Sequence, residues 1–350
     1  MTQPPPLAGL DREELLKIVS SLDEPDYRVD QIFKWFYRKR AKWFDEMTDL
    51  TAELRGRLPE VLGILGTNVT DVRTDKDGTL KLLVRLGDGH TIESALIPQG
   101  QRRTGCVSTQ AGCPVGCLFC ASGAKGLARN LDAAEIVEQA LHLTYELPGG
   151  KHLTHLVFMG IGEGLLNFDA LARAIRTLNA PWGMNIGARR MTVSTVGIPG
   201  TITRLAALGL QVNLAVSLHA PTDELRARLI PYGGLLKVEE LMGEAEDYFV
   251  NTGREVTFEY VLLAGVNDSR KLAERLADTV KPCHASVNLI AYNEVQGTPF
   301  RRPSADAVKA FRSVLEKRGV RVTFRRSRGT GVAAACGQLR LDALPRDDDV

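Results

Sequence analysis

Long apolar runs, cysteines and net charge are all scarce in this sequence of 350 residues. No window approaches ~18 uninterrupted apolar residues, and Met1–Leu7 has neither a basic n-region nor an apolar h-region, so we expect a cytoplasmic protein without a membrane span. The six cysteines are too few for a disulfide scaffold, and clustered thiols in a cytosolic protein more often serve metal or redox chemistry. The net charge of +2 is too small to indicate a nucleic-acid-binding protein, so such a function needs a local pattern of charge.

The N-terminal part has the periodicity of helices. Apolar residues recur at helical spacing from Leu10 to Leu58, and Asp11 and Asp26 are candidate helix starts. We therefore predict a helical domain over residues 1–64, within a chain whose length suits roughly two domains.

Basic and aromatic residues alternate along the second predicted helix of this domain and the loop after it. They are Arg28, Lys34, Trp35, Tyr37, Arg38, Lys39, Arg40, Lys42 and Trp43. Looped RNA favours such a pattern, because phosphates need cations and unstacked bases need flat faces, and reversing the charge at Arg38–Arg40 is then expected to weaken RNA binding in a salt-dependent way. The alternative interpretation is that the aromatic residues are core and the cations form a solvated helix face.

Strand patterns begin after the helical domain. Thr79–Leu86 and Thr91–Ile97 flank a Gly-Asp-Gly turn, which predicts a hairpin in a small β extension over residues 65–99. From Arg103 onward short apolar strands alternate with amphipathic helices, beginning with Gly105–Thr109 and His152–Gly160. This alternation indicates an α/β fold with a parallel sheet over residues 100–342, either a full or partial β/α barrel or an open doubly wound sheet. Residues 343–350 are predicted to be a solvated tail.

Three cysteines follow the first of these strands with the spacing CxxxCxxC. Cys113, Cys117 and Cys120 can hold three irons of a 4Fe-4S cluster and leave the fourth iron open for a small molecule. The alternative is a structural zinc site, whose fourth ligand would be a histidine or Cys106.

Together with other segments, this spacing resembles the RlmN/Cfr family of radical S-adenosylmethionine (SAM) RNA adenine methyltransferases. The matching segments are Tyr27–Trp35, Phe44–Leu50, Cys106–Cys113, Phe158–Glu163, Val193–Gly197, Ser217–His219 and Ala334–Leu339. The resemblance implies a partial (β/α)6 radical SAM barrel with a helical N-terminal domain and a small β extension. It also implies two cofactors, a 4Fe-4S cluster held by Cys113, Cys117 and Cys120 and SAM itself.

Several residues correspond to SAM contacts of that family. They are Gly162, Glu163, Ser194, Ser217, Leu218, His219 and Asn293. Each lies near the carboxyl end of a predicted strand, where ligand sites of β/α barrels are found. Gly162 permits close approach of the backbone, and the Glu163 carboxylate can accept a hydrogen bond from the ligand's ammonium group.

Three further residues correspond to the family's catalytic groups. Cys336 matches the methyl acceptor, Cys106 the thiol that resolves the protein–RNA crosslink, and Glu93 the proton acceptor. By this resemblance one SAM methylates Cys336, and a second yields a radical that activates the S-methyl group for addition to adenine. A disulfide between Cys106 and Cys336 then forms as the product leaves. Cys283 matches no family position and is predicted to be a buried hydrophobic residue.

The resemblance implies carbon 2 of adenine 2503 in 23S rRNA and of adenine 37 in tRNA as targets, a flavodoxin-type reductant and a monomer. The alternatives are a carbon-8 methyltransferase of the Cfr branch, another radical SAM activity, or a non-catalytic, metal-stabilised RNA-binding protein. Gly164 replaces the family's usual proline, and Gly331-Val332 replaces its usual Asp-Ile pair. These departures predict a looser methyl-carrier loop and leave a diverged paralogue as a further alternative.

Overall fold

The structure is a computed structural model that describes residues 4–325 and 327–340. Its helices are α1 (Arg12–Ser21), α2 (Tyr27–Phe33), α3 (Ala52–Val61), α4 (Ala133–Tyr145), α5 (Phe168–Asn179), α6 (Thr201–Ala206), α7 (Asp223–Leu229), α8 (Val238–Thr252), α9 (Arg270–Val280) and α10 (Ala305–Lys317). Its strands are β1 (Asn68–Thr74), β2 (Leu80–Arg85), β3 (Thr91–Gln99), β4 (Arg102–Cys106), β5 (Gln110–Gly112), β6 (Leu127–Asn130), β7 (His155–Phe158), β8 (Met191–Thr195), β9 (Asn213–Ser217), β10 (Val256–Leu262), β11 (Ala285–Ala291) and β12 (Val322–Arg325). The tail predicted at 343–350 lies outside the described residues, as do residues 341–342 of the predicted barrel.

Ten of these strands form one sheet in the order β1-β2-β3-β4-β7-β8-β9-β10-β11-β12. From β4 to β12 every neighbouring pair is parallel and follows chain order, so the described residues contain seven parallel strands without a reversal. A doubly wound sheet would change direction in its strand order. The partial barrel is therefore confirmed, and the doubly wound alternative is wrong.

The predicted hairpin is present as β2 and β3, but it does more than connect two domains. A further strand, β1, pairs with β2, and β3 pairs antiparallel with β4 with Ala95 opposite Cys106. The β extension is thus an edge of the barrel sheet itself. The first barrel strand was predicted at Gly105–Thr109, whereas it ends at Cys106 because the chain then turns into the separate β5–β6 ribbon.

The helical segment packs on the barrel through a shared hydrophobic core. Phe33 and Phe36 are buried, and Phe33 stacks on Trp182 with 4.6 Å between ring centroids. Helix α1 begins at Asp11 through a capping box with Glu14, whereas the side chain of Asp26 makes no capping bond to α2. One core cluster extends from Leu7 to Leu339, so the three predicted segments are one packed body and their exact bounds stay a prediction.

Alternation along the parallel strands decides which side chains face the barrel interior. In β8, Val193 packs in the main core, whereas Ser194 lines an interior cavity. In β10, Phe258 likewise packs in the core, and Glu259 lines the cavity. Among the described residues, no helix is long and apolar enough to cross a membrane.

Candidate active site

One cavity lies at the carboxyl ends of the parallel strands. Of the residues predicted for the site, those that line it are Cys106, Cys113, Cys117, Cys120, Gly162, Glu163, Ser194, Ser217, His219, Asn293 and Cys336. Glu93 and Leu218 do not line it. The fold therefore brings together residues that are more than 200 positions apart in the chain.

The three clustered cysteines lie on a loop that we call the cysteine loop (residues 113–126). The Cys113 N–H donates to the Gly126 carbonyl at 2.9 Å, and this bond joins the two ends of the loop. Within the loop, the Cys120 N–H donates to the Cys117 carbonyl at 3.0 Å. Burial raises the pKa of the Cys113 thiol to about 12 and that of Cys117 well above its usual value. Binding of a metal to these thiolates must therefore remove protons from thiols whose pKa values are raised by burial.

The donor set fits a 4Fe-4S cluster. Cys113, Cys117 and Cys120 are thiols that pack against an apolar cluster including Val115 and Phe119. Soft sulfur ligands in a desolvated pocket suit iron–sulfur chemistry. A zinc ion needs its ligands to converge on one point. Within the described part of the chain, no three His, Cys, Asp or Glu side chains do so. In a four-iron cluster each thiolate binds a different iron.

Gly162 and Glu163 connect neighbouring strand ends. Gly162 has φ +111°, and a Cβ there would lie 2.7 Å from the Cβ of Gln110, so only glycine fits. The Glu163 carboxylate accepts hydrogen bonds from the N–H groups of Leu165 at 3.1 Å and Val196 at 2.8 Å. Burial raises its pKa to about 7. Its predicted contact with a ligand would therefore use the lone pairs that these two donors leave.

The serines and the histidine are held by the strand ends. Ser194 Oγ lies 3.5 Å from Ser217 Oγ across β8 and β9. His219 has φ +57°, its Nδ1 accepts a hydrogen bond from the Val261 N–H at 3.1 Å, and burial lowers its pKa to about 3. The ring is therefore neutral, with its proton on Nε2. The side chain of Leu218 belongs to the main core, so only its backbone is near the cavity.

Sequence reasoning missed three buried polar residues that support this site. Arg226 donates to the carbonyls of Val196 and Leu236, and burial lowers its pKa to about 10. Asn267 donates to the carbonyl of His219 at 2.8 Å, and Glu259 lines the cavity from β10. The signal for Glu259 was available, because a carboxylate inside an apolar strand costs free energy unless it is paired or functional.

The two remaining cysteines of the predicted chemistry also line this cavity. Cys106 is 8% exposed at the end of β4, and Cys336 is exposed on a loop that we call the Cys336 loop (residues 329–340). The Asn293 side chain donates to the Cys336 carbonyl at 3.2 Å, and Arg302 donates to the Asn293 side-chain oxygen at 3.3 Å.

Glu93 lies behind this loop rather than in the cavity. Its carboxylate pairs with Lys81 Nζ at 2.8 Å and accepts a hydrogen bond from the Arg340 N–H at 2.9 Å. Its role as a proton acceptor stays a prediction. The looser loop expected from Gly331-Val332 stays a prediction, and the Gly331 N–H donates to the Asp75 carboxylate at 2.8 Å.

The basic stretch of the helical segment is used mainly for docking on the barrel. Arg38 donates to the Pro181 carbonyl at 2.8 Å, and Arg40 donates to the carbonyls of Leu147 and Lys151. Lys39 lies over the Trp35 ring and Lys42 over the Tyr145 ring, at 3.4 and 5.0 Å from the centroids. Of the aromatic residues, Tyr37 is buried, whereas Trp43 is 71% exposed. RNA binding by this stretch stays a prediction. Only side chains that do not contact the barrel are available for it.

Comparisons with known proteins agree with this geometry. Residues 6–64 match the family described as the ribosomal RNA large subunit methyltransferase N-terminal domain, and residues 107–276 match the radical SAM superfamily. A Rhodopirellula baltica protein named probable dual-specificity RNA methyltransferase RlmN is 46% identical over 314 residues, which are 90% of this chain and 85% of that protein. A Thermotoga maritima protein of the same name is 43% identical over 340 residues, 97% of this chain and 98% of its own length.

A solved structure shows the same overall fold. The crystal structure of a radical SAM methyltransferase from Sphaerobacter thermophilus is 44% identical, covers 96% of this chain and 99% of its own, and superposes with a TM-score of 0.93. The chain therefore belongs to the RlmN family of dual-specificity RNA methyltransferases, radical SAM enzymes that use a 4Fe-4S cluster and S-adenosylmethionine.

Proposed function

We propose that this enzyme methylates carbon 2 of adenine, at position 2503 of 23S rRNA and at position 37 of tRNA, through a methylated Cys336. The observation that carries the proposal is that Cys106 and Cys336 line one cavity together with the three clustered cysteines. Carbon 2 of adenine is electron-poor and does not attack a methyl cation, so the reaction needs a carbon radical and a covalent carrier for it.

The predicted site residues divide the work as follows. Cys113, Cys117 and Cys120 hold the cluster, and Gly162, Glu163, Ser194, Ser217, His219 and Asn293 position SAM, with Leu218 contributing its backbone. When bound, these cofactors supply a methyl cation and, in a second event, a hydrogen-abstracting radical. Asn293 also donates to the Cys336 carbonyl, so the same side chain would orient SAM and the loop that accepts the methyl group.

The thiols carry the covalent steps. The Cys336 sulfur takes the methyl group, and its S-methyl carbon, after loss of a hydrogen atom, bonds to carbon 2 of the base. The adduct gives up its carbon-2 proton, for which Glu93 is the predicted acceptor. It also gives up one electron, which would return to the cluster held by Cys113, Cys117 and Cys120 and would balance the electron spent in forming the radical. Cys106 then attacks the Cys336 sulfur: an S–S bond forms, the C–S bond breaks, and the carbon keeps the electron pair and takes up a proton.

Glu93 is the assignment with the least geometric support. Its carboxylate is 2% exposed, pairs with Lys81 and does not line the cavity. Glu93→Gln keeps an acceptor for the Arg340 N–H. A loss of turnover in this variant with an unchanged structure would support the role, and unchanged turnover would remove it.

The test is anaerobic turnover of the cluster-loaded enzyme with methyl-deuterated SAM, reductant, a 23S rRNA fragment and tRNA, followed by nucleoside mass spectrometry. We expect 2-methyladenosine whose methyl group carries two deuterium atoms, because one is lost from the S-methyl group of Cys336. Three deuterium atoms would overturn the carrier role, and 8-methyladenosine would overturn the choice of carbon 2. We further propose a flavodoxin-type protein as electron donor and a monomer that acts in the cytoplasm.

A further inference from the structure

The Cys336 loop is held by a part of the chain that the chemistry above does not use. This is the turn between β1 and β2, which we call the acidic turn (residues 75–79, Asp-Lys-Asp-Gly-Thr). The acidic turn and the loop are about 250 residues apart in sequence, and the sheet brings them together because β1, β2 and β3 extend the barrel edge.

Two carboxylates of the acidic turn bond to the backbone of the loop. Asp75 Oδ2 accepts from the Gly331 N–H at 2.8 Å, and Asp77 Oδ2 accepts from the Gly329 N–H at 3.0 Å. The other oxygen of each carboxylate bonds within the turn, to the N–H groups of Lys76 at 2.6 Å and Thr79 at 2.9 Å. The bonds within the turn thus fix each carboxylate side chain, so little side-chain entropy is lost when the carboxylate binds the loop.

The loop residues fit these carboxylates only as glycines. A Cβ on Gly331 would lie 2.8 Å from Asp75 Oδ1. Gly329 has φ +70°, and a Cβ there would lie 2.7 Å from Thr79 Cγ2. An aspartate at position 331 would place a second carboxylate opposite Asp75 and repel it. The glycine and Asp75 are therefore a complementary pair in this chain.

A second polar contact holds the loop farther along. Lys81 Nζ pairs with Glu93 and lies 3.5 Å from the Ala333 carbonyl, and Glu93 accepts from the Arg340 N–H. The anchors therefore lie on both sides of Cys336, whereas Cys336 itself is exposed.

We infer that the acidic turn is a clamp for the Cys336 loop, and that Asp75 and Asp77 are positioning residues for methyl transfer. The inference rests on the proposed function, in which one sulfur must reach SAM, the base and Cys106 in succession. Because the loop is fixed at its first residues, the Cys336 sulfur can move only within the cavity. Without the clamp, the loop samples positions from which the S-methyl group meets neither the radical nor the base.

The experiment compares the cluster-loaded enzyme with Asp75→Ala, Asp75→Asn, Gly331→Asp and Asp75→Asn/Gly331→Asp. Asp247→Ala, an exposed carboxylate on α8, is the matched control. Amide hydrogen exchange of residues 327–340 is followed by mass spectrometry, and kcat and the KM for SAM are measured with RNA. Exchange reports the clamp whether or not the RNA is methylated.

We expect amides of the loop to exchange about tenfold faster in Asp75→Ala and in Gly331→Asp, with kcat reduced by a similar factor and KM unchanged. Asparagine keeps one of the two acceptor oxygens, so Asp75→Asn loses the bond to either Lys76 or Gly331, and its exchange should lie between that of the unsubstituted enzyme and that of Asp75→Ala. It also relieves the repulsion, so the double variant exchanges more slowly than Gly331→Asp alone.

Two results would overturn the inference. Unchanged exchange in Asp75→Ala and Gly331→Asp excludes the clamp. Faster exchange with unchanged kcat excludes the positioning role. Wild-type enzyme that leaves Cys336 unmethylated contradicts the proposed function instead, and the exchange data then still decide whether the clamp exists.

Discussion

Two loops meet over the cavity and differ in the contacts that hold their functional cysteines in place. The cysteine loop is fixed by its own backbone and by apolar packing of Val115 and Phe119, and burial raises the pKa of the Cys113 and Cys117 thiols. The Cys336 loop is held by polar anchors supplied from elsewhere, among them Asp75, Asp77 and Asn293. A cluster needs ligands in one fixed, desolvated arrangement. A carrier thiol needs fixed ends and a mobile sulfur.

The largest expected effects come from removing one cysteine from each loop, because the cysteines of the two loops have different roles. Cys117→Ala removes a ligand of the cluster, so iron content and methylation should both be lost. Cys336→Ala leaves the cysteine loop intact and should keep full iron content while methylation is abolished. Iron analysis, visible absorbance and nucleoside mass spectrometry measure these outcomes. Cys283→Ala, at a half-buried cysteine outside the cavity, is the control and should change neither quantity. Methylation by Cys336→Ala would contradict the carrier role.

The second prediction compares glycines in the two loops. At Gly112, where the chain enters the cysteine loop, φ is +84° and a Cβ would lie 2.0 Å from the Gly126 carbonyl oxygen. Gly337 in the Cys336 loop has φ +83°, but its nearest such contact is 3.8 Å. We expect Gly112→Ala to lower the free energy of unfolding by about 3 kcal/mol or more, and Gly337→Ala by about 1 kcal/mol. Urea unfolding measures both, and equal losses would show that the two loops are packed alike.

The third prediction uses pH to probe the rigid side of the cavity. The His219 ring lies edge-on to Phe119 of the cysteine loop, and its pKa falls from 6.5 to about 3 on folding. The unfolded chain therefore binds a proton that the folded chain does not, so this residue's contribution is complete above pH 6.5 and is lost as the pH falls toward 3. The slope is up to about 1.4 kcal/mol per pH unit.

His219→Asn tests this slope, because asparagine tolerates the positive φ and does not titrate. The difference in unfolding free energy between the two proteins, measured at pH 7, 6 and 5, should shrink or reverse as the pH falls. A constant difference would mean that the His219 pKa is not lowered. Taking the difference cancels the opposite contribution of Glu163, whose pKa burial raises to about 7.

The smallest expected effect concerns the link between the two loops. Ser122 Oγ donates to the Leu339 carbonyl at 2.8 Å, beside the bond from the Ala121 N–H to the Gly337 carbonyl. Ser122→Ala should reduce the free energy of unfolding by about 1 kcal/mol and speed amide exchange in the Cys336 loop. Iron content should not change. Iron loss would show that the Cys336 loop also supports the cluster, which would contradict the different roles assigned to the two loops.

Much of the site was predictable because its residues lie in short local patterns. The spacing of Cys113, Cys117 and Cys120 depends on one loop, and Ser194, Ser217 and Asn293 follow apolar strands whose carboxyl ends must meet in a barrel. The alternation of apolar strands and amphipathic helices from Arg103 onward was predicted for the same reason, since apolar periodicity is local.

Partners that are distant in the chain left no signal in the sequence. Arg38 and Arg40 have the sequence signature of an RNA-contacting helix, and the structure adds hydrogen bonds from both to carbonyls of barrel loops more than 100 residues away. Gly331 indicated a looser loop, and only the position of Asp75 shows why glycine is accommodated there. Glu259 and Arg226 were missed because their roles depend on the strands beside them.

The sequence by itself thus determined the class of chemistry and the order of strands and helices, since thiol spacing and apolar periodicity act over a few residues. The tertiary structure decided which polar groups share the cavity and which bond the backbone. It also decided that the β extension is an edge of the barrel sheet that holds the Cys336 loop. Charges and hydrogen bonds act at contact distance, and contact between distant segments is set only when strands pair and the core packs.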